Sequence, residues 1–167
     1  MKLKGKTINP PKSVPIPVIR EDGDIILLAA PLMDYKEFDS LCPEPKAPLL
    51  YGPNRRPVQL TDSPEYRQSM ERHSEMRTAY TIVKSLQATP DLTWETVDIT
   101  NPDTWLNYKA EMATHFTVHE VGDIISSVLQ ANMPSEERRE EALRNFMSPL
   151  VVGDVSDTSK TEEPVST

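Results

Sequence analysis

The most informative part of the sequence is HFTVHEVGDIISSVLQAN, which covers residues 115–132. Thr117 stands where the N-cap of a helix belongs, and its hydroxyl can accept a hydrogen bond from the backbone N–H of Glu120. The Glu120 carboxylate can reach back to the N–H of Thr117, which completes a capping box. Phe116 and Val121 occupy the two positions of a hydrophobic staple. These four side chains predict a helix that begins directly after Thr117 and is anchored at its start.

The apolar residues that follow lie on one stripe with a 3.6-residue period, the pattern of a helix that buries one face. Asn132 belongs to the residue types that tolerate the left-handed conformation in which helices often end. The sequence therefore predicts an amphipathic helix over residues 117–132. Its predicted buried face consists of Val118, Val121, Ile124, Ile125, Val128 and Leu129.

Helices are predicted on both sides of this one. Asn101-Pro102-Asp103 offers an N-cap, a proline at the first helical position and an acid in the first turn. Trp105 lies on the apolar face of that helix, and we expect it to be a core anchor that packs against the 117–132 helix. A further helix is predicted from Pro134 to a stop at Pro149. Its apolar residues are Ala142, Leu143, Phe146 and Met147.

The longest helix is predicted upstream of these. The segment 61–63 supplies cap candidates, and Pro64 suits the first helical position. Pro90 disfavours the helical conformation at Thr89, so the helix is expected to end near Gln87. Residues 93–99 alternate in polarity, which predicts a short extended segment between this helix and the next.

A β-hairpin is predicted near the N-terminus, because Asp22-Gly23 is a turn signal between two apolar runs. The first run, Val14–Arg20, contains two prolines and can only be an edge strand. The second run, Ile25–Ala30, is apolar on both faces, which indicates that a helix or another chain covers it. Residues 1–13 are basic, end in a proline-rich stretch, and are expected to be disordered in the isolated chain.

Most of the sixteen prolines lie before residue 60. Asp34–Leu41 is expected to form a short helix, and Cys42–Leu60 to run extended, largely as polyproline II with few hydrogen bonds of its own. Such a segment either covers the long helix of the same chain or reaches a partner, and the sequence leaves both options open. In the second case the candidate partner-binding residues are Leu41, Leu49, Leu50 and Tyr51.

Together these elements predict a mainly helical α+β fold with four short-to-medium helices, an N-terminal hairpin and a proline-rich extended segment. The expected organisation is a disordered basic N-terminus (1–13), a hairpin with the extended segment (14–60), a helical domain (61–148) and a disordered acidic tail (149–167).

The composition excludes several classes of protein. The net charge of −8 opposes nucleic-acid binding, since such proteins need Lys and Arg to neutralise phosphates. Cys42 is the single cysteine, so an intrachain disulfide and a Cys-rich zinc site are excluded, which fits a reducing compartment. The longest apolar run, Ile25–Met33, is too short to span a membrane and lies behind acidic residues, unlike a signal peptide. A cytosolic protein without membrane or nucleic-acid partners is expected.

Patterns typical of catalysis or metal binding are missing from the sequence. His115 and His119 are four residues apart, but the predicted N-cap at Thr117 falls between them, and a zinc pair needs both on one helix. His73 lies among Tyr and Met residues, which favours a partly buried core position. We therefore expect no catalytic residue, no metal site and no cofactor. The expected role is non-enzymatic binding of another protein or of a second copy of the chain.

Three segments resemble small proteins of tailed bacteriophages, namely tail assembly chaperones and other proteins of the tail gene cluster. They are YKEFDSLCPEPKAP at 35–48, YTIVKSLQATP at 80–90, and WETVD at 94–98 followed by PDTW at 102–105. The resemblance implies a non-enzymatic chaperone that coats the tape measure protein during tail assembly. It also implies that the protein acts in the cytoplasm of the host bacterium.

Two alternatives remain. A structural component of the virion, in the tail or the capsid, would keep its extended N-terminal half on a neighbouring subunit. A helical nucleic-acid-binding regulator could be built on residues 101–132, but the acidic charge of that region opposes it.

Overall fold

The elements of the chain combine strands and helices, as the predicted mainly helical α+β class requires. The computed structural model describes residues 2–3, 6–7, 9–51, 57–133, 136–137, 139–141 and 143–144. The chain divides into two compact units, 1–133 and 134–167. The elements named below all belong to the first unit.

The described strands form antiparallel pairs of two. In chain order they are β1 (Lys2–Leu3), β2 (Lys6–Thr7), β3 (Val14–Val18), β4 (Ile25–Ala29), β5 (Leu49–Tyr51) and β6 (Pro57–Gln59). The helices are α1 (Lys36–Leu41), α2 (Pro64–Leu86), a 3-10 helix (Pro102–Asn107), α3 (Tyr108–His115) and α4 (Val118–Asn132). The β1–β2 pair lies in the segment where the sequence predicts disorder.

The long helix α2 begins and ends where the sequence predicts. The Ser63 hydroxyl accepts a hydrogen bond from the Tyr66 N–H at 3.2 Å, and Pro64 opens the first turn. The C-terminal half of α2 enters the core, whereas its N-terminal half is largely exposed. The buried apolar side chains of α2 are Met76, Ala79, Tyr80, Ile82, Val83 and Leu86.

The predicted capping box at the start of α4 forms. The Thr117 N–H donates to the Glu120 carboxylate at 2.7 Å, and the Glu120 N–H donates to the Thr117 hydroxyl at 3.3 Å. Ile124 and Val128 are fully buried, but Val118, predicted to be on the buried face, is 87% exposed. The first turn of α4 therefore extends beyond the core.

The prediction of a left-handed helix end at Asn132 is wrong. Asn132 is the last residue of α4, and Met133 after it is extended, with φ at −136°. The Asn132 side chain instead accepts a hydrogen bond from the Leu32 N–H at 2.8 Å and donates to the Ser85 hydroxyl at 2.9 Å. Its amide therefore ties the end of α4 to α2 and to the chain after β4.

The helix predicted from Asn101 exists but is divided in two. It starts as the 3-10 helix and continues as α3. The Asn101 side chain accepts a hydrogen bond from the Asp103 N–H at 3.2 Å, as an N-cap does. The preceding segment 93–99, predicted to be extended, contains turns and bends instead. It is held by the Glu111 carboxylate, which accepts from the N–H groups of Glu95 and Thr96.

The predicted hairpin forms from β3 and β4, with Ile16 opposite Leu27. Its inner face is buried against the helices, which agrees with the prediction that a helix covers the second strand. On its outer face Ile26 is 60% exposed, so β4 is not covered on both faces. The inner-face residues that belong to the core are Ile16, Val18, Leu27 and Ala29.

Both edges of this hairpin are partly blocked for further pairing. On β3, Pro15 and Pro17 alternate with the residues whose backbone groups point towards β4. Because proline has no N–H, the outer edge of β3 lacks donors at these two positions. On the β4 edge, the Thr89 hydroxyl accepts from the Leu28 N–H at 2.7 Å and donates to the Leu28 carbonyl at 3.1 Å. At Leu28, a single side chain thus makes the hydrogen bonds that a neighbouring strand would make.

An aromatic cluster of Phe38, Tyr80 and Trp105 lies at the centre of the core. The Trp105 ring centroid is 5.0 Å from that of Tyr80 and 5.7 Å from that of Phe38. Trp105 is fully buried, and its indole N–H donates to the Ile99 carbonyl at 3.0 Å. Its aromatic contacts join the 3-10 helix to α1 and α2, and the predicted contact of Trp105 with α4 stays a prediction.

Some predictions concern residues outside the described ones. The tail 149–167 lies wholly outside them, and the helix over 134–148 lies partly outside. Its described residues, 136–137, 139–141 and 143–144, are helical. Among the described helices, none combines the length and the apolar character needed to cross a membrane.

Candidate functional site

Several exposed apolar side chains of the described residues lie together on the pair β5–β6. We call Leu49–Tyr51 and Pro57–Leu60 together the arm. Leu50 lies opposite Val58, and the Leu60 N–H extends the ladder by donating to the Pro48 carbonyl at 2.8 Å. The prediction of polyproline II with few hydrogen bonds is therefore wrong here, because the two strands satisfy each other.

Both faces of the arm carry exposed apolar side chains. Because strand residues alternate between faces, Leu50 and Val58 share one face, and Leu49 and Tyr51 share the other. Leu49 is 50% exposed, Leu50 and Val58 are each 56% exposed, and Tyr51 is 68% exposed. Apolar side chains of a globular core are covered by other residues, whereas these four side chains remain at least half exposed.

The β5 edge of the arm also presents backbone groups outward. The hydrogen bond from Leu60 to Pro48 shows which residue pairs of the ladder are hydrogen-bonded. Because hydrogen-bonded pairs alternate with pairs that are not, Leu50 and Val58 are the next hydrogen-bonded pair. The backbone N–H and C=O groups of Leu49 and Tyr51 then point to the outer side of β5. No described strand pairs with this edge, so within the described residues it is available for pairing with another strand, in contrast to the partly blocked edges of the β3–β4 hairpin.

The structure separates Leu41 from the other predicted partner-binding residues. Leu41 is the last residue of α1, is partly buried and packs against the core. Leu49, Leu50 and Tyr51 are together on β5.

Sequence reasoning missed Val58 and Leu60, the apolar residues of the returning strand. The turn signal Gly52-Pro53-Asn54 between two short apolar runs could have predicted the hairpin.

The segment before the arm is fixed to α2 by a polar cluster. The Tyr80 hydroxyl donates to the Glu37 carboxylate at 2.8 Å, and the Lys84 ammonium donates to the same oxygen at 2.7 Å. These bonds lower the pKa of Glu37, with the bond from Lys84 as the largest cause. Burial and the bond to Glu37 raise the pKa of Tyr80. Each charged or polar group is paired, so the cluster serves to hold α1 on α2.

A second polar cluster joins the hairpin to α4. The Arg20 guanidinium donates to both oxygens of Glu120, at 3.0 and 3.1 Å, and to the His115 carbonyl at 2.8 Å. The hydrogen bond from Arg20 is the largest cause that lowers the pKa of Glu120 to about 2, followed by the bond from the Thr117 N–H. The Arg20 guanidinium also lies over the Phe116 ring, 5.1 Å from its centroid. The predicted anchors of α4 therefore bind the hairpin as well.

The reactive residue types take structural positions. His73 Nε2 lies 3.1 Å from the Cys42 carbonyl, and its ring packs on Phe38. His115 ends α3 and His119 lies in α4, on either side of the predicted break. Burial raises the pKa of the Cys42 thiol, which disfavours the thiolate. Within the described part of the chain, no group of three His, Cys, Asp or Glu side chains is arranged to hold a metal ion.

Comparison of the chain with protein-family models, with curated proteins and with solved structures found no match.

Proposed function

We propose that the protein is a non-enzymatic assembly factor that binds another protein through the arm. The observation that carries the proposal is the exposure of apolar side chains on both faces of β5–β6. A two-stranded ribbon has marginal stability in water, and exposed apolar groups of this kind mark interaction sites. Burial of Leu49, Leu50, Tyr51 and Val58 in a complex explains why all four apolar side chains are exposed in the isolated chain.

The specific form that we propose is a tail assembly chaperone of a tailed bacteriophage. The sequence resemblance supports this form, and with it a tape measure protein as the partner and the cytoplasm of the host bacterium as the location. The exposed apolar arm supports a partner that presents apolar side chains. Its open β5 edge supports binding that includes main-chain hydrogen bonds to an extended segment of that partner.

The proposal is tested by co-expressing the full chain with the tape measure protein of the same phage and measuring their co-purification. Leu50→Asp places a charge in the middle of the arm, and we expect it to weaken binding about tenfold or more. Val118→Asp is the matched control, since Val118 is also exposed, at 87%, but lies on α4. We expect this control to bind like the unmodified protein.

Two results would oppose the proposal. Equal binding by Leu50→Asp and the unmodified protein would exclude the arm as the binding surface. If the tape measure protein does not bind, and the protein is instead found at a fixed ratio in purified phage particles, the structural virion component becomes the better assignment.

A further inference from the structure

The outer edges of the strands β3–β6 differ in how well they are protected. Pro15 and Pro17 remove donors from the β3 edge, and the Thr89 hydroxyl bonds to the β4 edge at Leu28. On β6, the backbone of Pro57 faces away from β5, so the outer edge lacks an N–H donor there. Sheets use such devices to prevent pairing with other chains. Among these outer edges, as far as the structure describes them, only the β5 edge carries none.

The β5 edge is also free of charge. Its outward backbone groups belong to Leu49 and Tyr51, and each of these residues has both an N–H and a C=O. The described residues of the arm include no Asp, Glu, Lys or Arg, although the chain as a whole has a net charge of −8. Like charges that face each other across two strands destabilise the pair. Two copies of this acidic chain can therefore meet at the arm without that repulsion.

A second copy also fits the edge because it leaves no open edge behind. A sheet needs three or more strands for independent stability, and two arms joined through β5 form a sheet in the order β6–β5–β5–β6. Both outer edges of this sheet are β6 edges, which lack the donor at Pro57. The assembly therefore closes after two copies and does not grow into a fibre. A strand from an unrelated protein would instead add an edge of its own.

We propose that the free protein forms a symmetric dimer in which the β5 strands of two copies pair antiparallel, with Leu50 at the two-fold axis. In this register Leu49 lies opposite Tyr51 of the second copy, and these two residues exchange backbone hydrogen bonds. They also form an aliphatic–aromatic cross-strand pair on each side of the axis. A partner segment bound at this edge would replace the second copy. The dimer itself forms without a partner and does not depend on the function proposed for the arm.

Disulfide crosslinking of the full chain tests the register. In a Cys42→Ser background, Leu50→Cys brings two thiols together at the axis, with a Cα separation of about 4.5 Å, which a disulfide can span. Leu49→Cys or Tyr51→Cys alone places the two thiols two residues out of register, about 8 Å apart, which is too far for a disulfide. Under mild oxidation we expect Leu50→Cys to form the covalent dimer at least about tenfold faster than either of them.

A mixture of the last two variants sharpens this test. Because Leu49 lies opposite Tyr51 of the second copy, we expect Leu49→Cys chains and Tyr51→Cys chains to crosslink with each other faster than either crosslinks with itself. All measurements are made without a tape measure protein, so their failure would leave the function proposed for the arm untouched.

A matched pair of proline variants tests which edge is used. Leu49 and Gln59 lie opposite each other, and each points its N–H outward, from β5 and from β6 respectively. In the Leu50→Cys chain, Leu49→Pro removes the donor of the proposed interface. We expect it to slow crosslinking about tenfold or more, the effect of two hydrogen bonds related by symmetry. Gln59→Pro removes a donor from the other edge, and we expect it to leave the crosslinking rate unchanged.

Three results would overturn the proposal. Absence of a covalent dimer in the Leu50→Cys chain would exclude the pairing. Equal crosslinking rates of Leu50→Cys, Leu49→Cys and Tyr51→Cys would exclude the register. Equal slowing by Leu49→Pro and Gln59→Pro would exclude the β5 edge. The comparison of the cysteine variants needs no proline, so it decides the register even where a proline disturbs the arm.

Discussion

The aromatic cluster and the arm are built from similar residues but have opposite surroundings. In the cluster, Trp105 and Tyr80 are covered by helices on several sides, and their polar atoms bond to Ile99 and Glu37. In the arm, Tyr51 projects from a ribbon whose two strands pair with each other and with no other described strand. The comparison shows what determines whether a short apolar run becomes core or surface. The presence of a second layer of helices or strands that packs on the run matters more than its own apolar content.

The strongest test of this contrast is the truncation of Trp105 in the cluster, to be compared with the truncation of Tyr51 in the arm. Trp105→Ala removes the largest fully buried side chain, and we expect the free energy of unfolding to fall by about 3–5 kcal/mol. Denaturant unfolding followed by circular dichroism measures this loss. A midpoint equal to that of the unmodified protein would show that Trp105 does not support the core.

The second test concerns the Thr89 hydroxyl, which covers part of the β4 edge of the hairpin. The described residues place no such side chain on the β5 edge of the arm. Thr89→Val keeps the shape of the side chain but leaves the N–H and C=O of Leu28 without their partner hydroxyl. We expect a loss of about 1–3 kcal/mol in unfolding free energy. Thr78→Val is the control, since the Thr78 hydroxyl bonds only to the Ser74 carbonyl of its own helix. Equal stability of both variants would show that the edge does not need this side chain.

The third test uses the pH dependence of the Arg20–Glu120 pair. The pKa of Glu120 is about 2 in the folded chain and ordinarily 4.5, so the folded state binds this proton more weakly. The stabilisation is then complete above pH 4.5 and is lost as the pH falls from there through about 2.

We expect Glu120→Gln to flatten the fall in stability within that pH range, as measured by thermal unfolding at a series of pH values. Arg20→Gln removes the largest cause of the pKa shift and should flatten it as well. A slope unchanged in both variants would contradict the role of the pair.

The smallest effect is expected in the arm. Tyr51→Ala removes an aromatic side chain that is 68% exposed, so the unfolding free energy of the isolated protein should change by no more than about 0.5 kcal/mol. The same denaturant experiment as for Trp105→Ala measures it. A loss of several kcal/mol would show that the arm is part of the core, and would remove the support for its binding role.

The features that the sequence predicts well are local. The cap at Ser63, the capping box of Thr117 and Glu120, and the turn at Asp22-Gly23 each depend on residues a few positions apart, so their patterns are visible in the sequence. Of the candidate site, Leu49–Tyr51 stood out because apolar side chains lie there among prolines, and the structure does place them together on the surface.

The features that escaped prediction depend on distant residues. The Thr89 hydroxyl on the β4 edge, and the contacts of Trp105 with Tyr80 and Phe38, arise from packing that no periodicity encodes. The cavity lined by Leu27, Leu86 and Trp94 is of the same kind, since a strand, helices and an irregular segment line it together.

The two bonds that fix α4 to the hairpin region have a consequence for synthesis of the chain. Arg20 with Glu120, and Leu32 with Asn132, each join residues that are 100 positions apart. A ribosome makes the hairpin long before it makes α4. The growing chain therefore carries the apolar inner face of β3 and β4 without its final cover until Asn132 has emerged. We therefore expect nascent chains shorter than this to expose that apolar face and to be prone to aggregation.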